Sequence, residues 1–385
     1  MRLFKKAKET METQENRPVM QHDLPKNYNG AYKLLGKNVK TPIEPAAGTN
    51  TLVLGPPASG KTFSYVYSNL KKANDHSNFL IYTVKADSKQ YKKMLPYHTV
   101  IEIDISKRQL DYISLITNTD EAARFFDILY KASVSAIGDN WGGDMPYTLE
   151  DEKELFVRAV QYSFETGGCS YEQILKEITD VAEQDDRFTE AVVTGLQTLL
   201  DQVKPDKQFV SAITSIINSL RTVRNIAVVL VGSCDVDSYL YSSMFLDQFV
   251  YQYRKLLFSS DGSIINVVRL IIDEAASAYC DFDLLSVDAG ICRISVDFIY
   301  QDVSQIKRMY PDVWEEIKQH GITGYFENII CFGVPSYETA KFIKDTAELP
   351  TGFDFSLLSK RQELLFGLET DYKWAVIDKP EACGE

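Results

Sequence analysis

Short apolar runs mark both ends of this chain, while apolar positions at helical spacing fill its middle. Leu52-Val53-Leu54, Phe79-Leu80-Ile81-Tyr82-Thr83 and Val100-Ile101-Glu102-Ile103 read as buried strands by length and by their β-branched and aromatic content. A helix is expected between the first two, from about Lys61 to Lys72. From about residue 117 the period lengthens. Leu155, Phe156, Ala159, Val160 and Tyr162 form one helical stripe. Ile174, Leu175, Ile178, Val181 and Ala182 form a second, opened by the capping box Ser170-Tyr171-Glu172-Gln173. Phe209, Ile213, Ile216, Ile217 and Leu220 form a third.

Strand signals then return. Ile226 to Val231 is followed by an amphipathic helix around Tyr239 to Arg254, and then by Val267 to Ile272, Val296 to Tyr300 and Asn328 to Phe332. Trp374-Ala375-Val376-Ile377 is expected as the last strand. Strands alternating with helices imply parallel pairing with crossovers. The fold class is therefore α/β, with a mainly parallel sheet interrupted by an all-α insertion. Residues 1–45 read as an N-terminal arm carrying Pro18, Pro25, Pro42 and Pro45. Residues 46–116 and 223–385 make a discontinuous α/β domain, and residues 117–222 an all-α domain.

Composition narrows the function classes. At 385 residues and 45% hydrophobic content the chain can bury a sizeable core. The net charge of −13 argues against a protein that coats DNA uniformly, but it hides an asymmetry. Residues 1–108 hold 18 Lys/Arg against 9 Asp/Glu, whereas residues 117–190 hold 6 against 17. The acidic block is a solvated helical face or a dock for a basic protein. The six cysteines form no C-x-x-C and the four histidines are scattered, which argues for reduced thiols and against zinc. No segment reaches the roughly 18 to 20 consecutive apolar residues of a membrane span. The expectation is a cytoplasmic protein. The basic start Met1-Arg2-Leu3-Phe4-Lys5-Lys6 is read as a disordered tail, with a membrane-surface foot as the alternative.

The chemistry starts where the first strand ends. Gly55-Pro56-Pro57-Ala58-Ser59-Gly60-Lys61-Thr62 matches G-x-x-x-x-G-K-[ST]. Glycines let the backbone curl so that successive N–H groups face the phosphates of ATP. Lys61 brings charge to the β/γ-phosphates, and the Thr62 hydroxyl is a ligand for Mg2+. The run ending in Asp273-Glu274 supplies the second half: Asp273 to hold Mg2+ through water, Glu274 to orient and deprotonate the attacking water. Gln301, at the end of the next strand, is placed to contact the γ-phosphate. Val84-Lys85-Ala86-Asp87 departs from the guanine-reading [NT]-K-x-D pattern, which favours ATP over GTP.

With these motifs in order, the chain resembles the type IV secretion coupling proteins, the TraG/TraD-like ATPases of conjugation, over roughly residues 46–378. The likeness runs through Asn50 to Thr62, Val84 to Lys89, Asp111-Tyr112-Ile113-Ser114-Leu115, and Ile226 to Gln248. It continues through the Walker B-like Leu270 to Ala275, the Gln-containing Phe298 to Ile306, and Phe332-Gly333 with Glu338-Thr339-Ala340. The resemblance is to the subgroup without membrane helices. It implies a RecA-like P-loop NTPase fold, with residues 46–116 and 223–385 as the discontinuous nucleotide-binding domain. It implies too a homo-hexameric motor that moves single-stranded DNA, with relaxase or relaxosome proteins docking on the all-α domain and an integral membrane component of the channel recruiting the ring. It also implies an arginine acting across a subunit boundary. Arg293 is the nearest candidate, displaced from the family's position, with Arg254 and Arg269 as others. A DNA pump of the FtsK/HerA kind and a slow nucleotide-gated adaptor for protein substrates remain as alternatives.

Overall fold

The computed structural model describes residues 32–36, 39–42, 50–72, 77–84, 88–108, 110–137, 149–206, 213–259, 266–281, 294–311, 313–315, 325–347, 349, 352–357, 362–367 and 374–379. Its strands are β1 (Tyr32–Gly36), β2 (Val39–Pro42), β3 (Thr51–Leu54), β4 (Ser77–Thr83), β5 (Thr99–Asp104), β6 (Ile226–Val231), β7 (Val267–Asp273), β8 (Ile294–Tyr300), β9 (Asn328–Phe332), β10 (Gln362–Gly367) and β11 (Trp374–Asp378). Nine of them form one sheet in the order β11-β10-β9-β3-β8-β7-β4-β6-β5. From β9 to β5 all pairings are parallel, and β10 and β11 add an antiparallel edge.

The long apolar runs are long because the central strands are covered on both faces. Leu52, Leu54, Leu80, Tyr82, Leu270 and Phe298 face one side. Val53, Phe79, Ile81, Ile271, Ile299 and Ile330 face the other. The second face is covered by a six-residue π-helical turn (Lys61–Val66) running into α1 (Tyr67–Lys71), by α2 (Ser88–Met94), and by Leu35 of β1. β5 is the open edge, and Ile101 on it is 37% exposed.

The first face carries the helical block: α3 (Thr119–Ile137), α4 (Leu149–Thr166), α5 (Tyr171–Ala182), α6 (Glu190–Asp201) and α7 (Ile213–Thr222), followed after β6 by α8 (Val236–Ser259). The buried side chains of the block run without a break into those of the sheet. Leu155, Phe156, Ala159 and Val160 are fully buried, but Tyr162 of the same expected stripe is 39% exposed and Ser163 occupies the inward position. Ser170 does cap α5 by accepting from Gln173 N, at 3.2 Å. The Gln173 side chain turns instead to Thr166 Oγ1 (3.0 Å) and Glu177 Oε1 (2.5 Å), so the reciprocal half of the capping box is replaced by a tie to α4. Phe209, of the third stripe, lies outside the described residues.

Two buried asparagines seat the chain where it leaves the helical block. Asn78 donates to the carbonyls of Leu220 and Val223, both at 2.6 Å, and accepts from Ile226 N at 3.0 Å. Asn266 donates to the carbonyls of Arg221 and Val223, both at 3.0 Å. Carbonyls at a helix C-terminus have no intrahelical partner, and here sheet residues satisfy them.

Two stretches depart from expectation. The sheet has a strand, β10, beyond those read from the sequence, and the arm forms the hairpin β1–β2. The hairpin is tied down by a charge: Lys33 Nζ donates to Asp297 Oδ1 (2.5 Å) and Thr51 Oγ1 (3.2 Å), while Arg269 donates to Asp297 Oδ2 (3.0 Å) and Asn69 Oδ1 (3.0 Å). All three charged side chains are at most 1% exposed. Burial, and after Asp297 the nearby Arg269 charge, push the Lys33 ammonium below the ordinary lysine range on balance. One carboxylate thus offsets two cations, and the cluster tolerates losing a cation better than losing the anion. Asp297→Ala is expected to destabilise by about 3–5 kcal/mol, the range for breaking a buried pair. Lys33→Met, which leaves the Asp297–Arg269 pair intact, is expected to cost less; urea unfolding midpoints of the two variants check the order.

Candidate nucleotide site

The site lies at the C-terminal ends of β3, β8 and β7, where a parallel sheet gathers the loops that follow its strands. Parallel register fixes the levels: Leu54 stands beside Tyr300 and Asp273 beside Ile299. The phosphate loop therefore begins one residue past β3, Gln301 one past β8, and Glu274 one past β7.

Sequence dictates the shape of the loop. A Cβ at Gly55 would lie 2.7 Å from the Phe332 carbonyl oxygen, so only glycine fits against β9 there. Gly60 takes φ 96°, a left-handed conformation suited to glycine, at the start of the helical turn. Ala58 also adopts positive φ, 59°, and with Pro57 it forms the exposed tip. Ser59 N bonds the Pro56 carbonyl at 3.2 Å and closes the curl. Inside it lies Lys61, 7% exposed, whose ammonium donates to the carbonyls of Gly55 and Pro56, the latter at 3.0 Å. The lysine is thus held at the centre of the loop, where its charge faces whatever the loop encloses.

Thr62 and Asp273 come together as expected: the Thr62 hydroxyl lies 3.0 and 3.1 Å from the two Asp273 carboxylate oxygens. A hydroxyl and a carboxylate beside a phosphate loop form the hard-oxygen donor set that Mg2+ takes when most of its shell is water and phosphate. No cluster of three or more His, Cys, Asp or Glu suited to a metal occurs among the described residues, so this pair is the candidate cation site. Bound there, Mg2+ would neutralise charge on the β- and γ-phosphate oxygens.

Glu274 and Gln301 also meet, with Gln301 Nε2 donating to Glu274 Oε2 at 3.0 Å. Glu274 has φ 82° and ψ 57°, an unusual left-handed conformation for a non-glycine residue. Gln301 is steadied in turn: its backbone N–H donates to Gln305 Oε1 at 2.8 Å, part of the capping box that starts α9 (Val303–Met309).

Two polar residues near the site were not singled out in the sequence. Tyr91 of α2 is fully buried, and its hydroxyl donates to Asp273 Oδ2 at 2.9 Å, with Thr83 Oγ1 at 3.2 Å. Burial, and then the Asp273 charge, push its phenol well above the ordinary range, so it stays a protonated donor. Lys379, just past β11, donates to the Ser59 carbonyl at 3.0 Å and lies 4.9 Å from the Phe332 ring centre. Only its place after a strand end could have drawn attention to it. Of the arginine candidates, Arg293 lies outside the described residues. Arg269 is corrected: it is 1% exposed and committed to Asp297 and Asn69, so it cannot reach a neighbouring subunit.

Solved structures share this architecture. The plasmid coupling protein TrwB in complex with ADP and Mg2+ matches with a TM-score of 0.63 at 14% identity, covering 95% of this chain and 91% of that one. The chain has the fold of the conjugative coupling proteins. TrwB with a non-hydrolysable ATP analogue matches at a TM-score of 0.60 and 14% identity, over 94% of this chain and 90% of that one. VirB4 of Thermoanaerobacter pseudethanolicus matches at 0.59 and 12% identity, over 92% of this chain and 98% of that one. No protein-family model matches the sequence, and no curated protein matches it. As in the sequence reading, no helix among the described residues is long and apolar enough to cross a membrane.

The bond from Tyr91 makes it a positioning residue for Asp273. Tyr91→Phe keeps the ring and removes the donor. It is expected to raise the Mg2+ concentration needed for half-maximal nucleotide binding roughly 10-fold, the lower end for losing a partner of a metal ligand. Metal-free binding should not change. Titrating a fluorescent ADP analogue at stepped Mg2+ reads this directly, and an unaltered Mg2+ dependence would reduce Tyr91 to a packing role.

Proposed function

We propose that this chain is a nucleoside-triphosphate-driven motor of a type IV secretion system, a coupling protein that hydrolyses ATP to pass single-stranded DNA and its bound relaxase toward a membrane channel. The observation that carries the reading is the pairing of Glu274 with Gln301 beside the phosphate loop. Lys61 and Thr62–Asp273 suffice to bind a nucleotide and its Mg2+. Turnover needs, in addition, a carboxylate that accepts a proton from water. Glu274 is that base, one residue past the cation-holding Asp273 and hydrogen-bonded to an amide from the adjacent strand. An amide so placed can exchange its bond to Glu274 for one to the terminal phosphate, which ties the state of the nucleotide to β8 and to α9 beyond it.

The working form in this reading is a homo-hexamer with an arginine, Arg293 the first candidate, reaching the neighbouring subunit's nucleotide. The acidic helical block is the dock for relaxase or relaxosome proteins, and an integral membrane component of the channel recruits the ring. The structures that share the fold support this reading: TrwB was solved with ADP and Mg2+ and with analogues of both ATP and GTP.

Steady-state hydrolysis with and without single-stranded DNA tests the proposal. Glu274→Gln is expected to bind ATP like the parent and to lose turnover by roughly 100-fold or more, the scale of a general base. Lys61→Ala is expected to lose binding as well. Tight ATP binding with no turnover in the parent, unchanged by DNA, would instead favour a nucleotide-gated adaptor for secreted proteins.

A further inference from the structure

The geometry points to a nucleobase subsite on the turn between β9 and α10 (Tyr337–Thr346), with Tyr337 as a stacking platform that holds a purine without reading its edge. This rests on the nucleotide reading above and adds where the base lies and how it is recognised.

The argument begins from strand order. β8 and β7, which carry Gln301, Asp273 and Glu274, both lie on one side of β3, and β9 lies on the other. A triphosphate whose terminal group meets Glu274 and Gln301 must cross the loop after β3 and carry its sugar and base toward the end of β9. That end is closely joined to the phosphate loop. Gly55 abuts the Phe332 carbonyl, a Cβ at Gly333 would lie 3.5 Å from Ser59 Cβ, and Lys379 bonds the Ser59 carbonyl while lying over the Phe332 ring.

The turn then presents apolar surface to solvent: Val334 is 54% exposed and Tyr337 83% exposed. Exposed aromatic and aliphatic side chains one strand from a phosphate loop are suited to the flat face of a base. The polar group of the turn is already spent. Ser336 accepts from Thr339 N at 3.2 Å to cap α10, and its hydroxyl engages Asp302. Stacking without an edge-reading partner is tolerant of base identity, because every base has a π-face. A subsite built on this stack accepts GTP beside ATP.

Binding of ATP, GTP and inorganic tripolyphosphate, each with Mg2+, is measured by calorimetry for the parent, Tyr337→Ala and Tyr337→Phe. Tyr337→Ala is expected to weaken ATP and GTP alike, by roughly 5- to 50-fold, the scale of losing one base–aromatic stack. Tripolyphosphate, which has no base, should bind unchanged, and Tyr337→Phe should behave as the parent. Three results would overturn the subsite: unaltered ATP affinity in Tyr337→Ala, an equal loss for tripolyphosphate, or a loss confined to one nucleotide. A shift in sedimentation with unaltered affinity would reassign Tyr337 to a contact between copies. A parent that binds neither ATP nor tripolyphosphate would remove the nucleotide reading itself, an outcome distinct from the failure of Tyr337 alone.

Discussion

The site depends on the placement of β8, paired in register between β3 and β7. It puts the ends of three strands at one level, so that a loop, an amide and two carboxylates from sequence positions more than 200 residues apart face one another. A slip of one residue in either pairing would turn every side chain of β8 to the other face and carry Gln301 away from Glu274. The alternation along β8 resists such a slip. Phe298 and Tyr300 belong to the core shared with the helical block, and Ile299 to the core beneath the phosphate-loop helix. Asp297 must also stay on the second face to meet Lys33 and Arg269. The cluster sits midway along β8 and toward the start of β3 and β7, away from the strand ends that carry the candidate site, and it holds β8 in register.

The helical block is placed by the same economy of contacts. Its core is continuous with one sheet face, and its departure is fixed by Asn78 and Asn266. Between α3 and α8 the fully buried Asp247 receives both terminal nitrogens of Arg124, whose guanidinium also lies 4.4 Å from the Tyr251 ring centre. Glu121 and Lys255 pair at 2.7 Å, about one turn from Arg124 on α3 and about two turns from Asp247 on α8. The acidic helices are therefore anchored to the sheet that carries the candidate nucleotide site.

Much of this was legible in the sequence, for reasons that differ from element to element. β3, β7 and β9 are apolar runs because both of their faces are covered, and the chemistry-bearing residues follow them in a fixed local order. The hairpin β1–β2 was not legible. Its Tyr-Lys-Leu-Leu-Gly strand buries a lysine, and a lysine argues for solvent until its partner across the fold is known. Arg269 misled in the same way. It stands beside Ser295 on β8, two residues from Asp297 on the same face, and only the register reveals that a strand arginine has a buried carboxylate within reach. Tyr91 was hidden by its neighbours: Ser-Lys-Gln-Tyr-Lys-Lys-Met reads as a solvated helix, and nothing local says that its one aromatic points at the end of β7. β10 came unannounced because Gln-Glu-Leu-Leu-Phe-Gly is short and mixed, as an edge-region strand often is.

The backbone at Glu274 shows why the acidic pair takes the form it does. Consecutive residues of a strand point to opposite faces, so a chain that continued β7 unchanged would send Glu274 away from the side that Asp273 serves. The left-handed turn at Glu274 breaks that alternation. It costs on the order of 1–2 kcal/mol for a residue with a Cβ, and three contacts hold it in place. Ser277 N bonds the Glu274 carbonyl at 2.9 Å, Tyr82 donates to the Ser277 carbonyl at 2.8 Å, and Gln301 takes the carboxylate. Tyr82 comes from β4 and Gln301 from β8, the two strands that flank β7. The strained residue is thus gripped from both sides of its own strand, so a movement of Gln301 loosens one side of the grip and leaves the other. The strain is concentrated at Glu274 and absent from β7 itself, so movement of the Glu274 carboxylate leaves Asp273, held by Thr62 and Tyr91, in place.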